Sequence, residues 1–162
     1  MTTLVTGATG FVGSHVARQL VTAGHSVRVL VRRSSDCRMI EGLPVERAEG
    51  DLRDPASLDR ALQGVRRVFH VAADYRFWTP VVDEIYQNNV EGTRHLLEAS
   101  ARAGVEKFVY TSTVATIAVH REVALSKWNF NSLKKRQSSQ GLEGSKAGAP
   151  RSLRVGIGGT TG

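Results

Sequence analysis

Short apolar, β-branched runs alternate with stretches in which apolar residues recur every three or four positions. The runs at residues 3–6, 27–31, 45–49, 67–71 and 107–111 read as strands. Between them, Val12, Val16 and Leu20 predict a first helix closed by Gly24. A short second helix is predicted over residues 35–41. The third is bounded at both ends, with Asp54 as N-cap, Pro55 at the first helical position, Leu58 and Leu62 facing the core, and Gly64 as the stop. A long fourth helix ends at Gly104. Strand and helix in alternation predict an α/β, Rossmann-type doubly wound parallel sheet of about five strands in the order 3-2-1-4-5, with its ligand at the carboxyl ends where the order reverses. The punctuation fades after Val119, so residues 1–119 are taken as an incomplete dinucleotide-binding domain and residues 120–162 as an irregular, poorly ordered tail. With no further strand expected beside the fifth, an exposed sheet edge is predicted, with aggregation or homodimer formation as the consequence.

Charge sharpens that boundary. The net charge is +7, with 22 basic and 15 acidic residues. Residues 1–119 hold 14 basic against 13 acidic side chains, and residues 120–162 hold 8 against 2. The domain is nearly neutral and its cations are almost all arginine, whereas the tail mixes lysine and arginine with seven of the 16 glycines. Nucleic-acid binding is not expected, because Trp128 and Phe130 sit together rather than between the cations as stacking platforms would. At 162 residues a single domain can bury about 70% of its unfolded surface without disulfides. The lone Cys37 excludes an internal disulfide and a cysteine-built metal site, and no metal is expected. No apolar run approaches the roughly 18 residues of a membrane span, and no basic leader precedes the first strand, so a cytoplasmic location is expected.

The chemistry concentrates at strand ends. Leu4-Val5-Thr6-Gly7-Ala8-Thr9-Gly10-Phe11-Val12-Gly13 runs from a strand through three spaced glycines into a helix. Gly7 can turn the chain off the strand, Gly10 lets bare backbone approach a pyrophosphate, and Gly13 lets the helix pack closely. The helix supplies free amides and the positive end of its dipole. At the end of the second strand, 19 residues after Gly13, Arg32 and Arg33 stand where an NAD site would place an acid. Two guanidiniums suit the extra phosphate of NADP, with NAD as the alternative cofactor. Asp51 and Leu52 follow the third strand, placed to accept from an adenine amino group and to cover its ring; a capped turn is the competing reading. Ala72 and Ala73 leave room for cofactor after the fourth strand, and Asn88 and Asn89 are unusual in a helix interior, which predicts that one of them bonds backbone or cofactor. The fifth strand ends in Tyr110-Thr111-Ser112-Thr113, hydroxyls beside the expected nicotinamide.

Together, Thr-Gly-Ala-Thr-Gly-Phe-Val-Gly, Gly-Asp-Leu-Arg-Asp, His-Val-Ala-Ala, Asn-Val-Glu-Gly-Thr and Tyr-Thr-Ser-Thr resemble the extended short-chain dehydrogenase/reductase family of nucleotide-sugar epimerases, dehydratases and dihydroflavonol reductases, over residues 1 to about 119. Within it, His-Val-Ala-Ala-Asp-Tyr-Arg-Phe-Trp at 70–78 is most similar to hopanoid-associated sugar epimerases and dihydroflavonol-reductase-like proteins. The resemblance implies a small-molecule substrate and a cofactor lined by Gly7, Thr9, Gly10, Phe11, Val12, Gly13, Arg32, Asp51, Leu52, Ala72, Ala73, Asn88 and Thr111. Ser112 and Thr113 would be the catalytic-site hydroxyls, Thr113 orienting the substrate oxygen. The family's acid/base pair, Tyr-x-x-x-Lys, is absent: four residues beyond Tyr75, Tyr86 and Tyr110 stand Thr79, Val90 and Val114. A phenol without a neighbouring cation stays near pKa 10 and is a poor base at neutral pH. The missing pair and the composition break share one expected cause, a frame-shifted or otherwise foreign tail on a truncated enzyme. Reading the encoding DNA in its other frames tests this, and finding no Tyr-x-x-x-Lys downstream would contradict it.

Overall fold

The computed structural model describes residues 1–76, 82–112 and 154–155. The chain divides into two compact units, residues 1–111 with 152–162, and residues 112–151; of the second, only Ser112 is among the described residues.

The first unit is built on a parallel sheet of β1 (Thr2–Thr6), β2 (Ser26–Val31), β3 (Glu46–Glu49), β4 (Val65–His70) and β5 (Lys107–Tyr110). Their order is β3-β2-β1-β4-β5, as the alternation predicts, and a two-residue strand β6 (Arg154–Val155) follows β5. That last strand corrects one expectation. The β5 edge is not left bare, because Lys107 and Phe108 pair with Arg154 and Val155. Two residues carry no periodicity, so the sequence gives no sign of them.

Among the described residues four α-helices accompany the strands: α1 (Phe11–Thr22), α2 (Pro55–Ala61), α3 (Val82–Tyr86) and α4 (Gly92–Arg102). The expected second helix contracts to a 3-10 turn, Arg38–Ile40. The α2 boundaries are as expected, with the Asp54 carboxylate accepting from Ala56 N at 3.1 Å and Pro55 leading the helix. The long fourth helix runs unbroken over residues 82–102 but is not α throughout. Gln87–Glu91 forms a π turn between α3 and α4, in which Gly92 N–H reaches back five residues to Gln87 O.

Successive strand residues point to opposite faces, which separates two cores. Leu4, Leu30, Val68 and Phe108 pack with Leu58, Leu62 and Leu96 beneath α2 and α4. Val5, Val27 and Val29 pack with Ala17 of α1 and with Ile40. The face of α1 differs from the expected one: Gly13, Ser14 and Ala17 are buried, while Val16 and Leu20 only flank the core and Val12 is half exposed. Small residues let α1 lie close to the sheet, and the larger valines are displaced to its margins.

Register aligns the strand ends. Ala48, Leu30, Thr6, His70 and Tyr110 form one row across β3, β2, β1, β4 and β5. Everything after that row therefore emerges on one edge of the sheet.

Candidate functional site

The glycine turn leaves β1 at the centre of that edge. Gly7 has φ of 72°, and a Cβ on it would lie 2.6 Å from Ala72 N, so the turn sits directly on the backbone that leaves β4. A Cβ on Gly13 would fall 2.1 Å from Gly7 O, which fixes how closely α1 approaches the turn. Gly10 is different. A Cβ there would meet only Gly7 O, at 3.4 Å, so packing within the protein does not call for glycine at this position.

Gly10 is also the N-cap of α1, with extended backbone and no side chain capping the helix. The first intrahelical bond is Ser14 N–H to Gly10 O at 3.0 Å, which leaves the amides of Phe11, Val12 and Gly13 ahead of it. The first turn holds no acidic residue to offset the helix dipole. Phe11 and Val12 expose their apolar side chains beside this opening. An uncapped positive helix end over an open backbone fits a pyrophosphate. Thr9 lies within the same turn, half-buried.

The flanking strand ends supply the other expected groups. Arg32 follows β2, its backbone held by Ser35, and among the described residues its exposed guanidinium has no hydrogen-bond or ion-pair partner. Arg33 pairs loosely with Glu49 at 3.8 Å. Beyond β3, the backbone of Asp51 is held by Ser57, whose hydroxyl accepts from Asp51 N at 3.1 Å. The Asp51 carboxylate takes Arg53 N through Oδ1 at 2.8 Å. Leu52 rests on the start of α4: a Cβ on Gly92 would lie 2.9 Å from Leu52 Cβ. The motif glycine at 92 thus serves the loop that carries Asp51 and Leu52.

Residues Val71–Arg76, after β4, are fixed by side chains rather than by glycines. Ala72 N–H donates to Thr6 Oγ1 at 3.2 Å, and the same oxygen lies 2.7 Å from His70 Nδ1. His70 Nε2–H then donates to Thr93 Oγ1 at 2.9 Å, and Thr93 donates onward to Asn89 O at 2.6 Å. Burial favours the neutral imidazole, lowering the His70 pKa to about 4. In that form, with the proton on Nε2, the Thr6 hydroxyl donates to Nδ1. Asn89 accepts from Asp74 N and donates to Asp74 O, both at 2.7 Å, while Asn88 Nδ2 donates to the Asp74 carboxylate at 2.9 Å. The expectation that one asparagine bonds backbone is met by Asn89, and the π turn presents both amides to one loop. Arg76 adds a bidentate pair to Asp74 and reaches Glu84 at 3.0 Å. The Arg76 guanidinium, with help from Asn88, holds the Asp74 carboxyl well below the usual carboxylate range.

Ala72 is half-buried and Ala73 is exposed on the same edge. Thr111 N–H donates to His70 O at 3.0 Å as β5 ends, and Thr111 and Ser112 are both exposed. Thr113 lies outside the described residues. Sequence reasoning placed the glycine turn and the strand ends but missed the Thr6–His70–Thr93 chain and the Asp74–Arg76–Glu84 cluster. A histidine in the last position of an apolar strand was the available signal for the first. Among the described residues no group of three metal-ligating side chains occurs, and no helix is long and apolar enough to cross a membrane.

Comparison with known proteins adds four findings. A family model, NAD dependent epimerase/dehydratase, matches residues 3–133, past the residue-119 boundary and into the segment expected to be foreign. Sterol demethylase protein B of Methylococcus capsulatus is 44% identical over 124 residues, 76% of this chain and 38% of that protein. A putative dihydroflavonol 4-reductase of Synechocystis is 45% identical over 115 residues, 71% of this chain and 33% of that protein. A short-chain dehydrogenase/reductase superfamily protein from Agrobacterium tumefaciens, solved with bound NAD, is 38% identical with a TM-score of 0.61, covering 70% of this chain and 33% of that one. The chain thus spans between a third and two-fifths of the length of these relatives.

Proposed function

Given that this chain belongs to the NAD dependent epimerase/dehydratase family, we propose that it is the NADP(H)-binding portion of a sugar epimerase or dihydroflavonol-reductase-like oxidoreductase. The observation that carries the reading is the open backbone at Gly10. Among the described residues no atom demands glycine there, and this backbone faces an uncapped helix end at the edge where the parallel strands β1–β5 finish. The pyrophosphate would lie on the amides of Phe11, Val12 and Gly13, with Gly7, Thr9 and Gly10 shaping the turn. Asp51 would accept from the adenine amino group and Leu52 would cover the ring. Ala72, Ala73, Asn88 and Thr111 would border the nicotinamide side.

The exposed Arg32 guanidinium, without a partner among the described residues, supports NADP over NAD, because it offers planar donors to a ribose 2′-phosphate. When bound, the nicotinamide supplies hydride transfer; Ser112 and Thr113 would orient the substrate oxygen. The sequence carries no Tyr-x-x-x-Lys. A second reading, a non-catalytic NADP(H)-binding or sensing module, rests on the same phosphate turn.

Titration calorimetry with NADPH and NADH tests this. NADPH is expected to bind about tenfold more tightly, a preference removed by Arg32→Ala. At 100 times its dissociation constant NADPH should stabilise the fold by about 2.7 kcal/mol. A wild-type chain whose melting temperature moves with neither nucleotide would end both readings.

A further inference from the structure

Resting on the dinucleotide reading, we infer that His95 is a positioning residue for the adenine end of the cofactor, acting through the Leu52 carbonyl. His95 stands on α4 with Nδ1 3.1 Å from Leu52 O. A carbonyl only accepts, so Nδ1 carries the proton. On the other side of the ring, Nε2 is 3.2 Å from Arg94 Nη2. A guanidinium nitrogen only donates, so Nε2 offers its lone pair. One neutral tautomer meets both demands, whereas an imidazolium would turn an N–H toward the guanidinium.

Arg94 is itself held in place. Glu91 accepts from its Nε at 2.8 Å and Nη2 at 2.5 Å, and Glu98 accepts from Nη1 at 2.9 Å, one turn away on each side. The donor that selects the tautomer of His95 is therefore fixed along α4. Leu52 is seated on the same helix a second time, against Gly92, where a Cβ would lie 2.9 Å from its own. The preceding residue is held from a different helix, since Ser57 of α2 binds the Asp51 backbone. Gly50–Leu52 is thus stretched between α2 and α4, and His95 is the polar half of its α4 attachment. Among the described residues the Gly7–Gly13 turn has no hydrogen bond to α2 or α4, its Phe11 carbonyl being met by Ser14 and His15 of α1, so loss of His95 acts on one end of the ligand.

The test measures the two ends separately, with adenosine 2′,5′-bisphosphate for the adenine end and reduced nicotinamide mononucleotide for the other. His95→Ala is expected to weaken the bisphosphate about five- to tenfold, the size of one lost hydrogen bond, and to leave the mononucleotide within about twofold. His95→Asn, whose Nδ2 can replace the ring Nδ1 donor, should restore most of the bisphosphate affinity. An unchanged bisphosphate affinity in His95→Ala overturns the assignment. So does a parallel loss at both ends, which would mean that His95 only supports the fold. A wild-type chain that binds neither probe overturns the dinucleotide reading, and this assignment with it.

Discussion

Two loops leave neighbouring central strands on the same edge and are built in opposite ways. The Gly7–Gly13 turn after β1 uses bare backbone: two of its glycines are required by close approach to protein, and the third opens onto space. The Val71–Arg76 loop after β4 uses side chains, with Thr6, His70, Asn88, Asn89 and Arg76 each satisfying a defined partner. The first is left with unsatisfied donors aimed outward, and the second has its polar groups matched internally. A surface prepared for an anion therefore lies beside one prepared to stay rigid. The π turn at Gln87–Glu91 belongs to the second, because it brings adjacent asparagines onto Asp74; such irregularities in helices recur at functional sites.

The contrast can be broken most severely at Gly13. Gly13→Ala places a methyl 2.1 Å from Gly7 O, a backbone atom that cannot swing away. Urea titration should show a loss of at least about 3 kcal/mol or failure to fold. A mild loss would mean that α1 is free to move off the turn.

The second loop can be probed by pH. His70 titrates at about 4 in the native chain because it is buried, whereas an unfolded imidazole titrates near about 6.5. The unfolded state takes up its proton first. The stabilisation is therefore complete above about pH 6.5 and declines as pH falls toward 4, by up to about 3 kcal/mol. The slope of unfolding free energy between those pH values should be smaller in His70→Gln. An identical slope in the variant would remove His70 as its source.

A smaller effect is expected at Asn89. Asn89→Ala strands the amide and carbonyl of Asp74, and denaturant unfolding should register a loss of about 1–2 kcal/mol. Asn88→Ala removes one part-buried bond to a carboxylate that Arg76 also holds and should cost less. Equal losses would mean that the two amides are not specialised as their bonding implies.

The same contrast explains what could be read from the chain. Glycine spacing encodes a turn locally, so Gly7, Gly10 and Gly13 declare it within seven residues, and the Asp54-Pro55 cap declares α2 in the same way. Hydrogen bonds between distant residues leave no periodic trace. Thr6 and His70 are 64 residues apart, and His95 and Leu52 are 43 apart. Asn88 and Asn89 were conspicuous only as poor helix formers, which signals a purpose but not its partner. Val12 shows the opposite error: its spacing fits a core stripe, yet it is half exposed, because the helix face nearest the sheet is filled by Gly13 and Ala17.

Gly10→Ser tests the central claim most directly. Serine at an extended N-cap position can accept from the free amides of α1 and should stabilise the fold by a few tenths of a kcal/mol. It would also occupy those amides and the space above them. Measured together by urea titration and NADPH calorimetry, the variant should be at least as stable as the wild type and bind NADPH at least about tenfold more weakly. Undiminished NADPH affinity in a stably folded Gly10→Ser chain would contradict the account.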